Sequence, residues 1–117
     1  MIVILGSRNK SKKLEHLMYT QFMNYNILVL DGIGDNYFSA HDQFDHITVN
    51  TNYTYKQVIN YFKINYTEMF SRYDWIAFHI KADESSIAIF KQLEREYPQN
   101  FILTVYRANG LTNVYNY

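Results

Sequence analysis

Residues 6 to 13, Gly6-Ser7-Arg8-Asn9-Lys10-Ser11-Lys12-Lys13, bring together four cations, two hydroxyls and a glycine just after an apolar pentapeptide. A turn of this kind between a strand and a helix offers an anion backbone N–H groups, the positive end of the helix and ammonium groups. The plain alternative is a solvated basic turn. His41, Asp42, Asp45 and His46 have residue types that suit a divalent ion. No helix or strand period fixes their mutual geometry, so they read as a solvated loop and no metal is assigned. His79 sits inside an apolar run with no evident Ser or Cys partner, which reads as a hydrogen-bonded core imidazole. His16 reads as a surface histidine that follows the basic turn. Asp83-Glu84-Ser85-Ser86 has the composition of a helix cap. No catalytic residue is assigned from these types alone.

The elements that hold these residues follow from the apolar spacing. Met1 to Leu5 (MIVIL) is a continuous apolar run, as expected of a strand covered on both faces, and it ends at Gly6. Leu14, Leu17, Met18, Phe22 and Tyr25 mark one helical face from Lys12 to about Asn24 to Asn26. Ile27 to Leu30 repeats the buried-strand pattern before Asp31-Gly32, and Ile47 to Val49 is a short strand within an acidic loop. Thr54 and Gln57 have capping-box spacing. From Tyr55 through Val58, Ile59, Phe62, Tyr66, Met69, Phe70 and Tyr73 a single stripe predicts one helix of about five turns. Trp75 to Ile80 and Phe101 to Tyr106 are further strands. Between them Ile87, Phe90, Leu93 and Tyr97 line a helix capped by Asp83 or Ser85 and stopped at Pro98. The Asn-rich tail from Asn109-Gly110 lacks a helical pattern.

Strands alternating with helices imply crossovers. The expected fold is a single α/β domain over residues 1–117, three-layered and doubly wound, with a mostly parallel sheet of about five strands. Ligands of such sheets bind at the carboxyl ends of the strands. Gly6 to Lys13, the Asp31 loop, Lys81 to Glu84 and Arg107 should therefore share one rim.

On the Walker A pattern G-x-x-x-x-G-K-[ST], Gly6 matches the first Gly and Lys12 the phosphate-binding Lys, between a strand and a helix. Ser11 stands at the second Gly, and Lys13 at the Mg²⁺-ligating hydroxyl. The chain resembles a P-loop NTPase-like domain, P-loop/Rossmann-like in layout, with an eroded nucleotide loop. The resemblance implies phosphate binding by Gly6, Asn9, Ser11, Lys12 and Lys13, with ATP or GTP as the ligand, and Asp31 and Asp83 as rim acids. An ammonium at 4 Å repels a divalent ion by up to about 8 kcal/mol, twice the unit-charge value at an effective dielectric of 20. Lys13 therefore argues against metal-assisted hydrolysis and for a pseudoenzyme. Ser7-x-Asn9-x-x-Lys12 also resembles the phosphate motif of inosine-triphosphate pyrophosphatases, but the acidic segment of that family is missing.

Composition narrows the partners. The 117 residues carry 11 Lys+Arg against 11 Asp+Glu, so no net charge drives nucleic-acid or anionic-membrane binding. Absence of Cys excludes disulfides and thiolate chemistry, and no apolar run approaches the roughly 20 residues of a membrane span. A cytoplasmic protein is expected. The 12 Tyr and 8 Phe supply core first and exposed aromatic surface second. Hence the alternative expectation is a protein-interaction or inhibitory accessory protein of a phage or mobile element, using the fold as a scaffold.

Overall fold

The computed structural model describes residues 1–7, 9–33, 37–38, 45–48, 55–97, 100–108 and 111–117. Its strands are β1 (Ile2–Leu5), β2 (Ile27–Asp31), β3 (Asp45–Thr48), β4 (Trp75–His79), β5 (Asn100–Val105) and β6 (Asn113–Asn116). Its helices are α1 (Lys10–Thr20), α2 (Tyr55–Ile64), α3 (Tyr66–Phe70) and α4 (Ile87–Glu96), the last entered through a single 3₁₀ turn at Glu84–Ser86. The sheet runs β3-β2-β4-β5-β1-β6, and every neighbouring pair is parallel except β1 with β6. The radius of gyration, 12.9 Å, is close to the value of about 13 Å expected for a compact chain of this length.

Period-two alternation sorts the strand residues onto two faces. Val3, Leu5, Leu28, Leu30, Ile76, Phe78, Phe101, Leu103 and Val105 meet Val58 and Phe62 of α2, Met69 of α3, and Phe90 and Leu93 of α4. The opposite parity, Ile4, Ile27, Val29, Ala77 and Ile102, meets Leu14, Leu17 and Met18 of α1 together with Phe22 and Phe38. The helices thus cover both faces, and the central strands β1, β2, β4 and β5 are almost wholly buried, as continuous apolar runs require. Because these strands are parallel, their carboxyl ends at Leu5, Asp31, His79 and Val105 lie on one rim.

Several expectations are corrected. The sheet has six strands rather than about five: the tail forms β6, whose four residues are all exposed and carry no apolar period to announce a strand. β6 is held by pairing to β1, from Ile2 with Asn116 to Leu5 with Asn113. The first helix ends at Thr20, not near Asn24 to Asn26. Phe22 N–H donates to the Leu17 carbonyl and Tyr25 N–H to that of Phe22, turning the chain while Phe22 stays buried against Trp75. The long aromatic stripe is two helices, not one. At Asn65 the backbone departs from helical geometry, with φ −103° and ψ 12°, and the side-chain amide donates to the Tyr61 carbonyl at 2.9 Å. An Asn side chain competing for backbone partners is a local reason for a helix to break. Thr54, Pro98 and the Asn109-Gly110 pair lie outside the described residues.

Candidate functional site

Gly6 leaves β1 with its N–H donating to the Val105 carbonyl at 3.1 Å, and its own carbonyl accepts from Arg107 N–H at 3.4 Å. The chain then turns into α1 through Asn9, whose φ of 61° is left-handed. The Asn9 carbonyl accepts the first helical bond, from Lys13 N–H at 2.9 Å. Amides before Lys13 therefore precede the helical ladder. The first turn of α1 has no acidic residue, and its N-cap residue, Asn9, makes no side-chain capping hydrogen bond. Its positive end is left uncompensated by any carboxylate of its own.

Helical phase divides the turn into two sides. Lys12, Lys13 and His16 line one side of an open groove of about 550 Å³, together with Asn9 and with Leu111, Thr112 and Asn113 from the segment entering β6. Among the described residues no carboxylate lines this groove. Lys10 turns elsewhere, its ammonium 5.8 Å from the centre of the Tyr106 ring. Ser11 points inward, because it stands three and seven residues before Leu14 and Met18 on the face that packs against the sheet.

Inward of Ser11 lies a chain of buried polar groups. Ser11 Oγ is 2.7 Å from His79 Nε2, and His79 Nδ1 is 3.1 Å from Asp31 Oδ1. Strand parity explains the meeting. Asp31 shares a face with Ile27 and Val29, His79 shares one with Ala77, and Asp31 is paired with His79 in the β2–β4 register. Both are sealed from solvent, at 1% and 0% exposure, whereas Ser11 is half-buried. Asp31 Oδ1 also accepts from Ile33 N–H at 3.3 Å, and a carboxylate can only accept. The Asp31 contact therefore assigns the proton to Nδ1, which leaves the Nε2 lone pair to accept from the Ser11 hydroxyl. Phe38 closes the site with its ring edge-on to the imidazole, 4.9 Å between centroids. Neighbouring Tyr37 ties that cover to α1 through a 2.6 Å bond from its hydroxyl to Glu15 Oε2. Asp31 Oδ2 is buried without a hydrogen-bond partner among the described residues.

The expected residues are therefore brought together only in part. Gly6, Asn9, Lys12 and Lys13 gather around the turn, while the hydroxyl of Ser11 is directed to His79. The reading of His79 as lacking a Ser partner is corrected: that partner is Ser11, 68 residues away in sequence. Asp31 lies at the rim but is buried beneath it. Asp83 is exposed and committed to its own turn, accepting from Ser86 N–H and the Ser85 hydroxyl. Those bonds, that from Ser85 foremost, hold its carboxyl below the ordinary value of 3.8. Nearby, Arg107 is bound to Glu84 at 2.6 Å, which ties the segment after β5 to the same turn. His41 and Asp42 lie outside the described residues. Asp45 opens β3 and accepts from the Tyr73 hydroxyl at 2.9 Å. Compared with protein-family models, curated proteins and solved structures, the chain matches none.

Proposed function

We propose that the chain is a P-loop-like domain that binds a phosphate-bearing ligand at the turn between β1 and α1 and does not hydrolyse nucleotide. The groove that places Lys12, Lys13 and His16 beside the start of α1, with no carboxylate among its described lining residues, carries this reading. Lys12 is the principal ammonium, the early amides of α1 supply directed donors, and Gly6 gives the close turn. Two features support the loss of hydrolysis. Lys13 occupies the position of the metal-ligating hydroxyl, and the Ser11 hydroxyl is engaged by His79. A doubly wound, P-loop-like layout is part of the same proposal.

Thermal melting in titrations with inorganic phosphate, ATP and GTP, with and without Mg²⁺, tests the reading. A ligand at 100 times its Kd stabilises a protein by about 2.7 kcal/mol, enough to raise the melting temperature by several degrees. The expected result is a shift that needs no Mg²⁺ and is lost in Lys12→Ala. No shift at millimolar ligand, or one unchanged in Lys12→Ala, rejects it. A scaffold for protein interaction is the second reading. It is favoured by Tyr106, Leu111, Val114, Tyr115 and Tyr117, each exposed on edge strand β6 or in the segments beside it.

A further inference from the structure

We propose that Ser11 is a nucleophile, activated by His79 and oriented by Asp31, that attacks small carboxylic esters. This activity does not rest on the phosphate reading, since it uses the inner side of the turn and none of the ammonium groups of the groove lysines. Three independent observations converge on it. The two contacts, 2.7 Å from hydroxyl to Nε2 and 3.1 Å from Nδ1 to carboxylate, are within the reach and in the order that proton transfer from a serine requires. The imidazole and carboxylate are shut off from water while Ser11 is half-buried, so the base is dry and the serine stands at the edge of the enclosed site. Asp31 Oδ2 is buried and has no hydrogen-bond partner among the described residues, so the carboxyl group is turned to the imidazole where an imidazolium would form.

The step balances without a co-reactant. Ser11 Oγ bonds to the ester carbonyl carbon as its proton passes to His79 Nε2, and the transient oxyanion collapses to break the bond to the alkoxide. The alkoxide departs with the proton from Nε2. Deacylation is slow because little water reaches the sealed imidazole: a water that does adds to the acyl carbon as its proton passes to His79 Nε2, which returns it to Ser11 Oγ as the acid leaves. The Lys12 amide, next to the nucleophile in sequence and ahead of the helical ladder, is the backbone donor assigned to the oxyanion. Because Phe38 covers the imidazole and Ser11 is only half exposed, the acyl group accepted is small.

The full chain is treated with an alkyl fluorophosphonate, whose phosphorus takes the serine oxygen as fluoride leaves, and the adduct is mapped by peptide mass. The expected result is one adduct, on Ser11, absent in Ser11→Ala. Labelling should be at least tenfold slower in Asp31→Asn, an isosteric change that replaces the carboxylate charge beside the imidazole with a neutral amide. As Asp31 acts only through His79, this rate, read on protein whose melting is still cooperative, separates a positioning role from a structural one. Wild-type protein should also release p-nitrophenol from p-nitrophenyl acetate with an initial burst of about one equivalent, as acyl-enzyme formation requires. No adduct on Ser11 in folded wild-type protein overturns the proposal whether or not the variants fold, and so does unchanged labelling in folded Asp31→Asn. Failure here leaves the Lys12-dependent phosphate shift intact, and failure of that shift leaves the labelling intact.

Discussion

Asp31 and Asp83 end neighbouring stretches of the same rim, yet the two carboxylates live in opposite surroundings. Asp31 is sealed under Phe38 and His79; Asp83 is in solvent, held by Ser85 and Ser86. Since its folded pKa lies below the ordinary 3.8, Asp83 contributes stability that is present above that value and lost as pH falls through the lower, folded one. Asp83→Ala should therefore be less stable than wild type in urea unfolding at neutral pH. The gap should narrow as pH falls from neutral through 3.8 and then through the lower, folded value, while the difference between Asp83→Asn, which keeps a neutral cap, and Asp83→Ala stays the same over that range. A gap that stays constant across this range would contradict the assignment. The capping role of Asp83 was legible in the sequence, because an acidic residue just before a helix has one dominant local use. The partnership of Ser11 with His79 was not, although its signal was present. The spacing of Ser11, Leu14 and Met18 extends the inner face of α1 back by one turn, and the parity of Ile27, Val29 and Asp31 points the carboxylate toward that face. What no local pattern carries is that β2 lies beside β4, in the register that sets Asp31 against His79.

At the scale of elements, strands covered on both faces and helices with a clean apolar stripe are readable from one sequence because burial writes its period into the residues. Edge strand β6 has no such period: all four residues are exposed, and its pairing to β1 is a backbone matter. The break at Asn65 escaped for the converse reason, since the apolar stripe continues across it from Phe62 through Tyr66 to Met69 and both helices face one cluster. The junction of β1, α1 and β6 depends on Gly6. A methyl group placed on Gly6 would lie 2.6 Å from Thr112 Oγ1 and 2.9 Å from Thr112 Cα, so backbone as well as side chain would have to yield. Gly6→Ala should accordingly cost about 1–3 kcal/mol in denaturant unfolding, the range for overpacking a tight contact. The double variant Gly6→Ala, Thr112→Ala should recover part of that loss and no more, because the backbone contact persists. Full recovery would mean that the hydroxyl alone sets the approach, and no loss at all would mean that β6 does not press on the turn.

Across the whole molecule the two faces of the sheet are built for different purposes. One is an aromatic cluster in which Phe62 has Tyr66, Phe70, Phe78, Tyr97 and Phe101 at 5.4–5.9 Å between centroids. The other, beneath α1, is smaller and includes the Ser11, His79 and Asp31 chain among its packed groups. A face that encloses polar groups gains less from burial, so the aromatic face should hold the larger share of stability. Phe62 and Phe22 provide the comparison, one fully enclosed and one 5% exposed beside an open groove of about 290 Å³. Deleting a ring costs roughly 3–5 kcal/mol, rising with the cavity that the surroundings cannot fill. Phe62→Ala has rigid rings on several sides and should fall at the top of that range. Phe22→Ala opens onto existing solvent space next to Trp75 and should fall at or below the bottom. Against a total of about 5–15 kcal/mol for a domain, the first variant should approach the folding threshold while the second stays cooperative. Equal losses in paired urea titrations would mean that the α1 face bears as much of the fold as the aromatic one, and that its polar chain is enclosed without a cost in stability.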